Sequence, residues 1–166
     1  MKGRHVFILA LLSFLLVGCP VGSKYPLGDS RNVQIDEKLL GNWRSLGSKD
    51  IGEGVLKVFQ FNENEYYMEI KGDNDKDVSR VRSFITIIDN VNILNTQDIK
   101  NEFSSQKYVY VKFEMAKDNV LTFWTMDSNI IPKKEISKDE LFSHVLSNIK
   151  NDKFYEKVGS FIRDKH

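Results

Sequence analysis

The sequence predicts a mainly β fold, an antiparallel meander closing into a barrel or half-barrel of about seven strands, followed by two C-terminal α-helices. Three observations carry this. Lys107 to Met115 alternates strictly, with Val109, Val111, Phe113 and Met115 on one side and Tyr108, Tyr110, Lys112 and Glu114 on the other. Period two over that length marks a strand with one buried face. The β-rich runs between Trp43 and Met126 follow one another through short turns. Neighbours in sequence usually pair, and no crossover helix separates the runs as a parallel sheet would require. After Ile130-Ile131-Pro132 the period changes to that of a helix.

Met1 to Cys19 begins with the basic residues Lys2 and Arg4, continues as an apolar run from Val6 to Val17, and ends on Leu16-Val17-Gly18-Cys19. A spanning helix needs about 20 apolar residues, whereas a signal core runs about 7 to 15. The 12 residues from Val6 to Val17 fit a signal. This stretch resembles the signal of bacterial lipoproteins, with its last four residues as the lipobox. The resemblance implies cleavage between Gly18 and Cys19, and lipidation of the Cys19 thiol with three acyl chains such as palmitate. Cys19 is the single cysteine of the chain, so it has no partner for an internal disulfide, and lipidation explains it. In Gram-negative lipoproteins an aspartate after the cysteine favours the inner membrane. Pro20 stands there, which implies the periplasmic face of the outer membrane for a Gram-negative host.

Loss of residues 1–18 would leave 148 of the 166 residues, with a net charge near −1. That length suits one domain and buries enough surface to fold without a disulfide or metal. The charge balance offers no basic field for nucleic acid.

Pro20 to Gln34, rich in Pro, Gly and Ser, reads as a tether between bilayer and domain. In Ile35 to Leu40, Asp36 caps a helical turn and Gly41 ends it. Gly41-Asn42-Trp43 then resembles the Gly-x-Trp motif that opens lipocalins and related small barrels. The resemblance implies a lipocalin-like domain over 35–166, with Trp43 as a core plug at the closed end of the barrel.

Val55 to Phe61 and Glu65 to Ile70 form a hairpin around Asn62-Glu63-Asn64. Gly72 to Asp77 is a polar loop. Val78 to Ile88 is a long strand, Asp89-Asn90 a turn, and Val91 to Leu94 a short strand. Thr96 to Gln106 reads as a polar connection. Lys117-Asp118-Asn119 turns the chain between Met115 and the strand Val120 to Met126.

Ser137-Lys138-Asp139-Glu140 is a capping box. Leu141, Phe142, Val145, Leu146 and Ile149 form a helical stripe. Phe154, Tyr155, Val158, Phe161 and Ile162 have the spacing of a second helix.

Catalytic signals are absent. Once the signal is removed, His144 and His166 remain, without a Gly-x-Ser-x-Gly serine for either to activate. No Cys/His cluster suits zinc. Asp73-Asn74-Asp75-Lys76-Asp77 fails as an EF-hand, because Val78 and Phe84 stand where glycine and glutamate are required. No catalytic residue, metal ligand or cofactor is therefore assigned. The strand aromatics read either as core or packing residues, the first reading for Tyr108 and Tyr110, or as a candidate ligand surface at Tyr108, Tyr110 and Trp124. The functional expectation is a membrane-anchored envelope lipoprotein that acts as a non-enzymatic interaction or adaptor module for an envelope protein. The alternative is carriage of a small apolar ligand, a lipid or fatty acid, in the barrel.

Overall fold

The structure, a computed structural model, describes residues 22–47, 54–72, 78–99, 107–126 and 136–164. Eight antiparallel strands close on themselves in sequence order. They are β1 (Gly41–Ser45), β2 (Val55–Gln60), β3 (Tyr66–Lys71), β4 (Ser79–Ile88), β5 (Val91–Asp98), β6 (Val109–Met115), β7 (Val120–Met126) and β8 (Tyr155–Arg163). Closure leaves no unpaired sheet edge.

The turns follow the expected chemistry. Asp89 and Asn90 both take positive φ between β4 and β5, as a two-residue hairpin loop requires, and Asn119 does so before β7. The polar loop after Gly72 falls on residues 73–77, outside the described residues.

Two expectations are corrected. The connection placed at Thr96 onward begins later, because β5 continues through Thr96, Gln97 and Asp98, paired to Ser83, Arg82 and Val81. More important, the expected second C-terminal helix is β8. Phe161 lies opposite Ser45 of β1 and Leu121 of β7, so this segment closes the barrel. Its apolar residues also fit a 3.6 period, which produced the helical expectation. Two open strand edges outweigh that spacing, and Gly159 disfavours a helix by about 1 kcal/mol. A register shift between Phe123 and Trp124 lets β8 follow the curve of the wall. Among the described residues α1 (Lys138–Asn148) is the one α-helix, and both bonds of its capping box are made between Ser137 and Glu140.

The interior is one contiguous apolar cluster. Trp43, Leu56, Val58, Tyr66, Met68, Val81, Ile85, Leu94, Phe113, Leu121, Phe123 and Phe161 point inward and are buried. Phe123 and Phe161 meet edge to face at 5.7 Å between ring centroids.

Trp43 sits at one end of this cluster and is fully buried. Its Nε1–H donates to the Leu39 carbonyl at 2.9 Å, tying it to the 3-10 turn Glu37–Leu39 that Asp36 caps. The Arg163 guanidinium lies over the other side of the plug, 4.4 Å from the Trp43 ring, and donates to the Leu40 and Lys38 carbonyls. Gly41 is required here. Its φ is +123°, and a Cβ would stand 2.9 Å from Arg163 Nη1.

A second apolar cluster lies outside the wall. Outward residues Ile88, Ile93, Tyr110 and Met126 are covered by Leu141, Val145 and Ile149 at α1, by Phe154, and by Leu27. The stretch read as a tether is thus packed on the barrel from Ser23 onward. Ser23 pairs with Tyr108. The Leu27 N–H donates to Asn95 Oδ1 at 2.7 Å, and Asn95 Nδ2 donates to Thr86 Oγ1 at 2.9 Å. A Cβ on Gly28 would come within 2.5 Å of Thr86 Oγ1, so only glycine lets the segment lie this close.

Asn95 is fully buried although it faces outward. Asn95→Leu removes the acceptor and leaves the Leu27 N–H unpaired. The expected cost is about 1–3 kcal/mol. The check is thermal unfolding, together with faster tryptic cleavage at Lys24 and Arg31 than in the parent.

Candidate functional site

The chain offers its chemistry on the outside of the barrel. Lys112 and Glu114 of β6, Trp124 of β7, Asp152, and Tyr155 and Lys157 of β8 line an outer cleft of about 370 Å³. Period two places Lys112, Trp124 and Lys157 in one outward row across three strands. Asn151 caps the 3-10 turn Asp152–Phe154 that brings Asp152 to the edge.

Lys112 organises the cleft. Its ammonium stands 4.9 Å from the Trp124 ring centroid and 4.8 Å from that of Tyr155, and 2.9 Å from Glu114 Oε1. Its side chain is only 17% exposed, so both cation–π contacts operate partly out of water. With two amines, two carboxylates and two aromatic edges, the cleft is of mixed polar and aromatic character. It suits charged or hydroxyl-bearing groups, such as those of a protein surface, rather than an acyl chain.

The expected ligand residues do not converge on one site. Trp124 lines the outer cleft. Tyr108 is half-buried beside Phe84, edge to face at 6.1 Å. Tyr110 is 1% exposed and its hydroxyl donates to the Tyr25 carbonyl, so it is sealed under the N-terminal segment and α1. Cys19 and Gly18 lie outside the described residues. Lys112 was not singled out from the sequence, because Tyr155 falls in a segment whose spacing also fits a helix and only its place on β8 brings it to Lys112.

Two apolar side chains of α1, Phe142 and Leu146, are 40% and 46% exposed. The helical stripe is therefore split. Leu141, Val145 and Ile149 face the wall, while Phe142 and Leu146 stand one position further round and face solvent. His144 is half-buried, with its ring 6.4 Å from that of Phe154. Among the described residues no group of three His, Cys, Asp or Glu side chains converges as metal ligands do. Among the described residues no helix is long and apolar enough to cross a membrane.

The buried phenols make alkaline pH a probe of the walls. Burial pushes the Tyr66 hydroxyl up to about 12, and likewise Tyr155. Burial pushes Tyr110 up as well. The unfolded chain releases these protons near 10. The folded state thus holds protons that the unfolded state has lost. Stability is expected to be full below pH 10 and to fall as pH rises through about 12. Denaturant melts followed across that range, with tyrosinate absorbance alongside, check this.

No protein-family model, no curated protein and no solved structure matches this chain.

Proposed function

We propose that this chain is a lipid-anchored envelope lipoprotein, held at the membrane through Cys19, whose lipocalin-like barrel is a non-enzymatic interaction module for another envelope protein. For a Gram-negative host, Pro20 after the lipidated cysteine supports the periplasmic face of the outer membrane over inner-membrane retention.

One observation carries the reading most of the way. Inward side chains from all eight strands form one continuous buried apolar cluster that includes Trp43, which favours a barrel without cargo. A carrier of a lipid or fatty acid keeps that volume for its cargo, in a cavity of about 300 Å³ or more. Binding capacity then rests on the outer surface. There α1 exposes Phe142 and Leu146, and the cleft around Lys112 opens on the same side of the barrel, over β6 to β8. An apolar ridge beside polar, partly desolvated groups has the make-up of a protein interface.

Photo-crosslinking in the intact envelope separates the module from the carrier. A photoreactive residue at Phe142 is expected to give discrete protein adducts, and one at Lys117, in the β6–β7 turn, to give none. Absence of adducts from Phe142, with lipid adducts from the inward position Met68, would replace the module by the carrier.

A further inference from the structure

The cleft on β6 to β8 carries no net charge, since Lys112 and Lys157 are balanced by Glu114 and Asp152. It therefore exerts little long-range pull on an ion of either sign. What it offers is both kinds of hydrogen-bonding group around two aromatic side chains. The ammonium groups donate and the carboxylates accept. Glu114 gives Oε1 to Lys112 at 2.9 Å, yet its side chain is 60% exposed, and a carboxylate has room for about four acceptor contacts. Asp152 and Lys157 are exposed at the rim. Lys112 stands over the rings of Trp124 and Tyr155, which fixes the position of its ammonium.

A second feature continues the cleft along the barrel. Glu114 of β6 pairs with Thr122 of β7, and Thr122 pairs with Ser160 of β8. These three form the next outward row, two residues or about 7 Å along the strands from Lys112, Trp124 and Lys157. Thr122 and Ser160 are half-buried, and their hydroxyls lie 3.0 Å apart. Each hydroxyl has one donor and two acceptor sites, so the pair keeps capacity for a ligand after its own bond. No side chain of this row is apolar. The outer wall thus runs from an aromatic cleft onto a hydroxyl-lined shelf. Lys, Glu and Asp are depleted in the core of a protein contact, whereas here they supply four of the six side chains that line the cleft.

From these features we infer that the cleft and shelf of β6 to β8 form a binding site for a neutral saccharide chain. A pyranose carries no charge, its hydroxyls both donate and accept, and its C–H bonds make an apolar face. The cleft answers each property, with balanced charge, donors beside acceptors, and the rings of Trp124 and Tyr155. Aromatic walls with a few placed polar groups are the general make-up of a small-ligand site. The shelf extends the contact beyond one ring, which selects a chain over a single sugar. The inference goes beyond the protein-interaction module. The ridge of Phe142 and Leu146 remains the protein contact, and the saccharide site needs neither that ridge nor the anchor at Cys19.

The test uses the full protein in a detergent without a sugar headgroup, titrated with β-linked tetrasaccharides of glucose and of N-acetylglucosamine. Binding is read from saturation-transfer NMR of the ligand and from tryptophan emission. Trp43 is sealed in the core, so a change in emission reports Trp124, the other tryptophan of the chain. At least one tetrasaccharide is expected to bind with a millimolar or lower dissociation constant, and at least fivefold more tightly than its monosaccharide. Raising the salt from about 0.05 M to about 0.5 M is expected to change the affinity less than twofold. Trp124→Ala is expected to weaken binding at least tenfold. Asp152→Ala with Lys157→Ala, both exposed, is expected to weaken it at least threefold while the melting temperature stays unchanged. Absence of binding by both tetrasaccharides at millimolar concentration overturns the inference, and so does binding that survives Trp124→Ala. Affinity that collapses with salt overturns the neutral class of ligand. Protein adducts from a photoreactive residue at Thr122 in the intact envelope assign the cleft to a protein and overturn the saccharide.

Discussion

Trp43→Ala is expected to destabilise the domain by about 3–5 kcal/mol, the range for truncating a large buried aromatic. The melting temperature is expected to fall by roughly 10 °C for a domain of this size. Trp43 is fully buried, and its removal opens a cavity at the end of the barrel core. It also leaves the Leu39 carbonyl without its indole donor and the Arg163 guanidinium without its aromatic face. The 3-10 turn, β1 and the end of β8 all lean on this one side chain. Trp124→Ala is the contrast. Trp124 lines the outer cleft and is only partly buried, and its loss is expected to cost about 1–2 kcal/mol, the worth of a cation–π contact partly out of water. Thermal or denaturant melts of both variants decide the matter. Equal effects would mean that Trp43 is not the keystone of the closed end.

Cys19→Ala is expected to abolish acylation entirely. The parent chain, grown with labelled palmitate, is expected to carry the label on its N-terminal tryptic peptide, Cys19 to Lys24. Buried methylenes contribute about 0.8 kcal/mol each, so three acyl chains give stable attachment where one chain gives only reversible binding. The variant is expected to carry no label. Label retained after substitution, or a parent N-terminus at another residue, would contradict the anchor.

The sequence shows the meander plainly. Strand limits from β2 to β7 were legible to within a residue or two at most ends, because alternation and turn residues agree there. β7 (Val120–Met126) and the turns at Asp89-Asn90 and Asn119 are examples. What failed was the reading of residues 154–163, where local spacing satisfies two periods at once. Only the demand for an eighth strand between β1 and β7 resolves it, and that demand comes from the other end of the chain. The same segment hid Arg163, whose role is defined by Trp43, about 120 residues earlier. Asn95 was hidden differently. A polar residue on an outward position reads as solvated, and nothing local reveals that Leu27 will cover it. Tyr110 was more legible, since a packed place beneath a C-terminal helix was open to it from its strand face, and it is buried beneath α1 and the N-terminal segment. The outer cleft was half legible. Trp124 stood out as an aromatic on a strand, whereas Lys112 gains its meaning only once Tyr155 is placed on β8.

In the proposed function the barrel holds no cargo and works through its outer surface. Native mass spectrometry of the protein released by mild detergent from its own envelope tests this most directly. The expected mass is that of the chain from Cys19 with its acyl groups and nothing further inside, alone or joined to a protein partner. An additional apolar ligand in stoichiometric amount, removed by organic solvent and excluded by Met68→Trp in the barrel interior, would contradict it and make the protein a carrier.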